Sequence, residues 1–297
     1  MDLGRYGIWT FNLDLVPSSQ AVEHVDELDE LGFGAVWFPE AFGREAFTNA
    51  ALLLRGGTDI VVATGIASIW ARDAMAAAAA HRTVSEAYPG RFLLGLGVSH
   101  QPMVEAVRGH DYTKPYSAMA AYLDGMDAAP FMAAAPSVEP ERVLAALGPR
   151  MLALARDRAA GAHPYFVPPE HTAEARAVLG DGPLLAVEQA VVLEADPAKA
   201  REIARSHTRI YTGLPNYVGN LRRLDPSLTE DDFADSGSDR VVDRIVAWGD
   251  IDAVLARVQR HLEAGADHVC IQVVSDSLEV PIQAWRDLSA ALGLAAS

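Results

Sequence analysis

Residues 59–100, DIVVATGIASIWARDAMAAAAAHRTVSEAYPGRFLLGLGVSH, constrain the fold more than any other stretch of the chain. IVVATGIAS is a continuous apolar run rich in β-branched residues, as in a strand buried on both faces of a parallel sheet. The segment from Arg72 to Ala87 is Ala-rich and free of Gly and Pro, which predicts a helix. Pro89-Gly90 stops it, and Phe92 to Val98 is again an apolar strand. Strand, helix and strand follow one another with almost nothing between them. Gly65 interrupts the first strand, and Gly95 and Gly97 the second. Glycine inside a buried strand marks a bulge or the close approach of a backbone or ligand. A flat ligand lying against the ends of these two strands is therefore expected.

The same architecture extends along the chain. Arg5 to Thr10 reads as the first strand, and Val22, Val25, Leu28 and Leu31 give the next helix its apolar stripe. That helix closes at Leu31-Gly32 and leads into a strand at Ala35 to Pro39. The joint Glu30-Leu31-Gly32-Phe33-Gly34-Ala35-Val36 returns as Glu263-Ala264-Gly265-Ala266-Asp267-His268-Val269, with a shorter echo at Ala160 to His163. A helix that ends on Gly and turns directly into a strand is the repeating joint of an all-parallel α/β fold. Further strands are predicted at Val143 to Leu147, Ala162 to Phe166, Leu184 to Leu193 and Val269 to Val274, which makes eight. Residues 101–140 and 211–240 break the rhythm and read as two excursions. One (β/α)8 TIM barrel over residues 1–297, with both excursions near its C-terminal mouth, accounts for this pattern.

Charge narrows the function. Lys+Arg number 24 against 40 Asp+Glu, a net charge of −16, which argues against nucleic acid and against an anionic membrane surface. No signal peptide is expected from MDLGRYGIWTFNLDL, and no apolar run reaches the length of a membrane span. One cysteine, Cys270, cannot form an internal disulfide, consistent with a reducing cytoplasm. No metal site is expected, because zinc-ligand spacing is missing, and so are a Walker loop and a nucleophile elbow.

Position singles out a few side chains. His100 stands at the C-terminal end of a barrel strand, where barrel catalysts sit. Glu40 holds the equivalent place after strand two, although a salt-bridged loop carboxylate is its plainer reading. His163, His207, His261 and His268 read as structural or surface residues. Trp9 and Trp37 lie on strands; Trp70 lies just beyond one and is the better candidate for a pocket wall.

Three stretches together carry a resemblance: Val62-Ala63-Thr64-Gly65-Ile66-Ala67, Tyr88-Pro89-Gly90-Arg91-Phe92-Leu93-Leu94-Gly95-Leu96-Gly97 and Asp267-His268-Val269-Cys270-Ile271-Gln272. In these the chain resembles the luciferase-like monooxygenase superfamily, and within it the branch that uses the deazaflavin coenzyme F420. The resemblance implies a barrel, often dimeric, so a homodimer is expected, with the coenzyme ring at the C-terminal mouth. It implies a bulge with a cis peptide, here Gly65–Ile66, behind the ring, with Thr64 and Gly97 beside it. It also implies a phosphate held by backbone near Val98, Ser99, Gly148, Pro149 and Arg150, and near Gly161 and Ala162. Pro149 can contribute only shape. Where the sugar-phosphate dehydrogenases of this branch carry Asp-His and Gly-Glu, this chain has Glu40-Ala41 and Ser99-His100. Their Lys/Arg trio for a substrate phosphate has no counterpart, so sugar-phosphate oxidation is not expected.

The reading that follows is a cytoplasmic F420-dependent oxidoreductase acting on a small organic substrate. His100 is its general acid/base, and Glu40 orients that histidine or binds the coenzyme. Trp9, Trp70, Tyr112, Asn216 and Tyr217 wall the substrate. An FMN-dependent monooxygenase of the same fold, and a non-catalytic flavin-binding barrel, are the alternatives.

Overall fold

A computed structural model describes residues 1–294. The elements follow in order as β1 (Tyr6–Trp9), α1 (Ser18–Glu30), β2 (Ala35–Phe38), α2 (Ala46–Leu53), β3 (Val61–Thr64), β4 (Ala67–Ser68), α3 (Ala74–Ala87) and β5 (Phe92–Gly97). Next come α4 (Pro115–Ala128), β6 (Glu141–Leu144), α5 (Pro149–Arg158), β7 (Gly161–Ala162), α6 (Pro169–Leu179) and β8 (Leu184–Val192). The last part holds α7 (Pro197–Tyr211), α8 (Pro215–Leu224), α9 (Asp239–Ile245), β9 (Ala247–Trp248), α10 (Ile251–Glu263), β10 (His268–Val273) and α11 (Ile282–Leu292).

Every strand pairing is parallel, and β10 pairs with both β1 and β8, so the sheet closes into a barrel. β3 and β4 are the two halves of one barrel strand, both paired to β5. β9 is a two-residue addition along the C-terminal end of β8. The barrel thus has eight strands with helices around it. The part of the single-domain reading that covers residues 295–297 lies outside the described residues.

Inside the third strand the register slips by one residue. Ala63 lies opposite Leu93 and Ala67 opposite Leu96, so Thr64, Gly65 and Ile66 face only Leu94 and Gly95. That is a β-bulge, and it removes ladder bonds where it sits. The Thr64 hydroxyl replaces them: it donates to the Gly95 carbonyl at 2.8 Å and accepts the Gly95 N–H at 2.9 Å. The bulge also explains the two glycines of β5. A Cβ on Gly95 would stand 2.0 Å from the Thr64 carbonyl oxygen, and one on Gly97 would stand 2.4 Å from the Ile66 side chain. The Gly65–Ile66 peptide is cis, as the resemblance implied.

Several expectations need correction. The first excursion is smaller than residues 101–140. α4 buries Met119, Leu123 and Met126 and packs against α3 and α5 as an ordinary barrel helix. What leaves the rhythm is a segment from 101 to 114, containing one π-helical turn at Met103–Val107, and a loop over 129–140. Pro115 opens α4 at the first helical turn, where a missing N–H costs nothing. The sixth strand was expected to run to Phe166 but is limited to Gly161–Ala162, because Pro164 cannot donate to a ladder. α11 was not expected at all. It buries Trp285 and Leu288, and its Ser289 hydroxyl donates to the Leu31 carbonyl at the end of α1 (2.6 Å).

The second excursion, expected over 211–240, holds α8 and runs on into α9, and it packs against α7, which precedes it. α7, α8 and α9 bury Ala204, Leu221 and Val242 against Ala190 and Val192 of β8, near the C-terminal ends of the strands.

Thr64→Val keeps the shape of this side chain and strands both buried groups of Gly95. We expect a loss of about 1–3 kcal/mol in urea unfolding, recovered by Thr64→Ser. A loss below about 0.5 kcal/mol would show that the hydroxyl does not hold the bulge.

Candidate active site

Below the mouth, aromatic and polar side chains join Val61, Ala63, Leu93 and Val143 in the barrel interior. The Trp37 indole donates to His268 Nε2 at 3.1 Å, which fixes the proton of His268 on Nδ1, 3.0 Å from the Gly4 carbonyl. A Cβ on Gly7 would fall 2.6 Å from that imidazole, so only glycine leaves room for it. The His163 ring stacks on Trp37 at 4.4 Å and turns Nδ1 toward the Ala186 carbonyl at 3.0 Å. Burial lowers both imidazoles to about 4, so both are neutral. Above them the Trp9 indole donates to the Gly65 carbonyl at 3.1 Å, and its ring lies 5.1 Å from Tyr165. Trp9 is buried and supports the bulge from beneath; it belongs to the floor of the site rather than to a side wall.

The end of β5 forms one rim. Ser99 has a φ of 56°, the left-handed region, and turns the chain sharply toward His100. Two aromatic side chains hold that turn. The Trp70 indole donates to the Val98 carbonyl at 2.9 Å, and the Tyr112 hydroxyl to the Ser99 carbonyl at 3.1 Å. With both carbonyls held, the turn is rigid beside the bulge.

His100 and the second excursion meet at this rim. The His100 ring lies 5.4 Å from Tyr217 on α8, with Asn216 as its polar neighbour and Nδ1 buried without a partner. Burial lowers the His100 pKa below 6.5, and the Asn216 side chain opposes this. Tyr217 in turn packs on Tyr165, Phe166 and Tyr211, and His207 closes the same cluster against Tyr211 at 5.0 Å. Tyr165 donates to Gln272 Oε1 at 2.9 Å, so the Tyr211 hydroxyl, 2.8 Å away, donates to Tyr165. Beneath these rings lies Glu188 of β8, whose Oε2 accepts the Phe166 N–H at 3.1 Å. Its Oε1 is buried with no partner, and burial pushes the carboxyl up to about 8.

Glu40 takes its plainer reading, a salt-bridged loop carboxylate. One carboxylate oxygen accepts the Ser68 N–H at 2.8 Å; the other accepts the Ala46 N–H at 3.2 Å and pairs with Arg72. Arg72 also pairs with Glu45 at 2.8 Å. The carboxylate is thus committed to tying β4 to the segment after β2. His100 has Asn216 beside it instead, so Glu40 does not orient that histidine.

The expected phosphate ligands divide. Gly148 caps α5 with open space where a Cβ would stand, and Pro149 follows at the first helical position. Arg150 is exposed there, with its guanidinium 4.4 Å over the Tyr116 ring. Val98 and Ser99 thus follow β5, and Gly148 and Arg150 lie beyond the neighbouring strand β6 at the start of α5. Gly161 and Ala162 do not fit this role. Both are buried in β7 between β6 and β8, and a Cβ on Gly161 would stand 1.9 Å from the Leu184 carbonyl oxygen.

Sequence reasoning missed Glu188, Tyr165, Tyr211 and the role of His207. One signal was present: Glu188-Gln189 are polar neighbours inside the otherwise apolar strand Leu184–Val192. Among the described residues, no group of three or more His, Cys, Asp or Glu is placed to hold a metal. No described helix is long and apolar enough to cross a membrane.

A family model described as luciferase-like monooxygenase matches residues 10–268. A protein of Mycobacterium tuberculosis named as a coenzyme F420-dependent oxidoreductase is 32% identical over 108 residues, spanning 36% of this chain and 31% of its own length. A 5,10-methylenetetrahydromethanopterin reductase of Methanolobus tindarius is 24% identical over 88% of this chain and 93% of its own. Among solved structures, an F420-dependent secondary alcohol dehydrogenase in complex with an F420-acetone adduct superposes with a TM-score of 0.77. It is 14% identical, and each chain is covered completely.

Glu188 makes one expectation about stability. Its pKa lies near 8 in the fold against 4.5 for the free group, so the folded state binds the proton more tightly. This contribution is complete below pH 4.5 and is lost as the pH rises toward 8. Glu188→Gln cannot ionise and should gain on the wild type across that window, by roughly 3 kcal/mol near neutrality. Urea unfolding of both proteins at the two ends of the window tests this; parallel pH profiles would show that Glu188 is not held neutral.

Proposed function

The chain belongs to the luciferase-like monooxygenase family, and on that premise we propose that it is an F420-dependent oxidoreductase. It moves a hydride between the deazaflavin and a small organic substrate. The observation that carries this reading is the juxtaposition of the bulge at Gly65–Ile66, the turn at Val98–Ser99 and the α5 N-terminus on one side of the mouth. His100 stands at that same mouth. The relatives named for F420, or for reduction of a pterin, support the deazaflavin over FMN.

The residues present fit the coenzyme. The bulge offers Ile66 as a partly exposed apolar support, with Gly97 leaving space for its side chain. The backbone of Val98, Ser99 and Gly148, with the guanidinium of Arg150, would hold the phosphate. When bound, the deazaflavin supplies a two-electron hydride centre. The chain handles the proton. His100, neutral at neutral pH, accepts it from the substrate as hydride leaves, and returns it in the reverse direction. Trp70, Tyr112 and Tyr217 line the space between, and the buried indole of Trp9 holds the bulge from below. FMN in place of F420, with oxygen activation in place of hydride exchange, is the second reading.

Direct titration with F420 and FMN separates the two. F420 should bind with micromolar affinity or better (~ −8 kcal/mol), and FMN clearly more weakly. Because the chain carries −16 and the coenzyme is anionic, added salt should leave F420 binding unchanged or strengthen it. Stronger binding of FMN in competition would reverse the assignment.

His100→Ala should keep the coenzyme affinity and reduce turnover by about 10²–10⁴-fold. In the wild type, kcat/KM for substrate oxidation should rise with pH through a value below 6.5 and level off toward neutrality, because the neutral imidazole is the active form. A profile unchanged in His100→Ala would remove this residue from the proton path.

A further inference from the structure

Glu188 is a buried carboxyl that the hydride reaction does not use. It lies on β8, 1% exposed, and among the described residues no Lys or Arg is paired to it. An ionised carboxylate without a cation is too costly at such a place, so the group is a neutral acid. Oε2 accepts the Phe166 N–H and is the carbonyl oxygen; Oε1 therefore carries the proton. That O–H is a buried donor with no acceptor in the protein.

The orphan donor is not isolated. Two more buried polar atoms without partners, His100 Nδ1 and His207 Nε2, border the same aromatic cluster of Tyr165, Phe166, Tyr211 and Tyr217. Tyr165 and Tyr211 remain half-buried, so the cluster opens to the mouth. Unsatisfied polar atoms are rare in native interiors, and several around one set of rings mark where another molecule completes them. No Lys or Arg side chain is among these groups.

We propose that Glu188 is a specificity-determining residue. Its Oε1–H anchors an uncharged organic molecule through a hydrogen-bond acceptor, a carbonyl oxygen in the simplest case, and the cluster refuses carboxylates and phosphates. This names a substrate class for the oxidoreductase read above and rests on that reading. Selection follows from hydrogen bonding alone. A neutral acceptor satisfies the acid, whereas an anion would meet an uncharged, low-dielectric wall with no cation to pair it.

Raising the pH should abolish the anchor by removing its proton. The titratable groups facing Glu188 are Tyr165 after β7, Tyr211 on α7, Tyr217 on α8 and Cys270 on β10. All four are pushed up by burial, and His207 is held down at about 4, so Glu188 is the one that titrates near 8.

The test uses cyclohexanone as the neutral probe and cyclohexanecarboxylate as its anionic counterpart, with and without F420. Infrared spectroscopy of the wild type at slightly acid pH should show a protonated carboxyl band that is missing in Glu188→Gln and moves to lower frequency with cyclohexanone. Glu188→Gln keeps a neutral donor and an acceptor for the Phe166 N–H, so its ketone affinity should stay within about threefold of wild type. Glu188→Met keeps the volume without the donor and should bind the ketone about tenfold or more weakly. Wild-type affinity should fall as the pH passes 8, while that of Glu188→Gln stays level. Equal ketone affinity in all three proteins, no ketone binding to the wild type, or equally tight binding of the carboxylate would each overturn the proposal. If F420 fails to bind while the ketone still reports on Glu188, the oxidoreductase reading falls and the anchor stands.

Discussion

One extra residue in the third barrel strand governs the working end of this protein. A parallel barrel tolerates a register slip only where the lost ladder bonds are replaced and the neighbouring strand yields space. Thr64 does the first and Gly95 and Gly97 do the second. Everything at the mouth is then arranged around the displaced backbone. Trp9 holds the Gly65 carbonyl from below, Glu40 holds the Ser68 N–H from the side, and Glu40 N–H itself donates to the Ile66 carbonyl at 3.1 Å. The bulge is an irregularity with four separate attachments, which is why it can serve as a fixed surface.

The interior shows how a barrel accepts polar side chains without charge. His163, His268 and Trp37 satisfy most of one another's needs through stacking, an indole donor and two backbone carbonyls. Thr172, His261 and Gln189 form a second such chain, at 2.7 and 2.9 Å. In both cases the imidazole stays neutral because burial lowers its pKa and no carboxylate sits beside it. Such groups fix orientation because most of their polar atoms are satisfied.

The barrel was legible in the sequence because its cause is local and repeated. Buried apolar strands, helices ending on Gly32 and Gly265, and glycines within strands each leave a mark on a few adjacent residues. The bulge was legible for the same reason, through Gly65, Gly95 and Gly97. The site was less so. Glu40 and His100 occupy equivalent places on their strands, yet Arg72, Ser68 and Ala46 take the first while Asn216 and Tyr217 meet the second. Those partners are set by how loops fold back over the mouth, and no spacing encodes that. Gly161 shows the opposite failure: a glycine that resembles a ligand contact is required by the Leu184 carbonyl. α11 escaped notice although Trp285 and Leu288 lie three residues apart, because the barrel was already complete at β10.

The attachment of Glu40 to the frame has a wider consequence. Its carboxylate, Thr64 and the glycines of β5 are spent on geometry, and a change in any of them disturbs the barrel. Apart from Glu188 of β8 and Tyr165 after β7, the side chains proposed to touch a substrate come from residues 98–112 and from α7 and α8, which lie outside the closed ladder. Frame and working surface are therefore separable in this chain. Selection can exchange the exposed Asn216 more freely than Tyr112 or Tyr217, which also hold the Ser99 turn and the buried face of α8, and so move the protein among substrates while the surface that would bear a coenzyme is inherited intact.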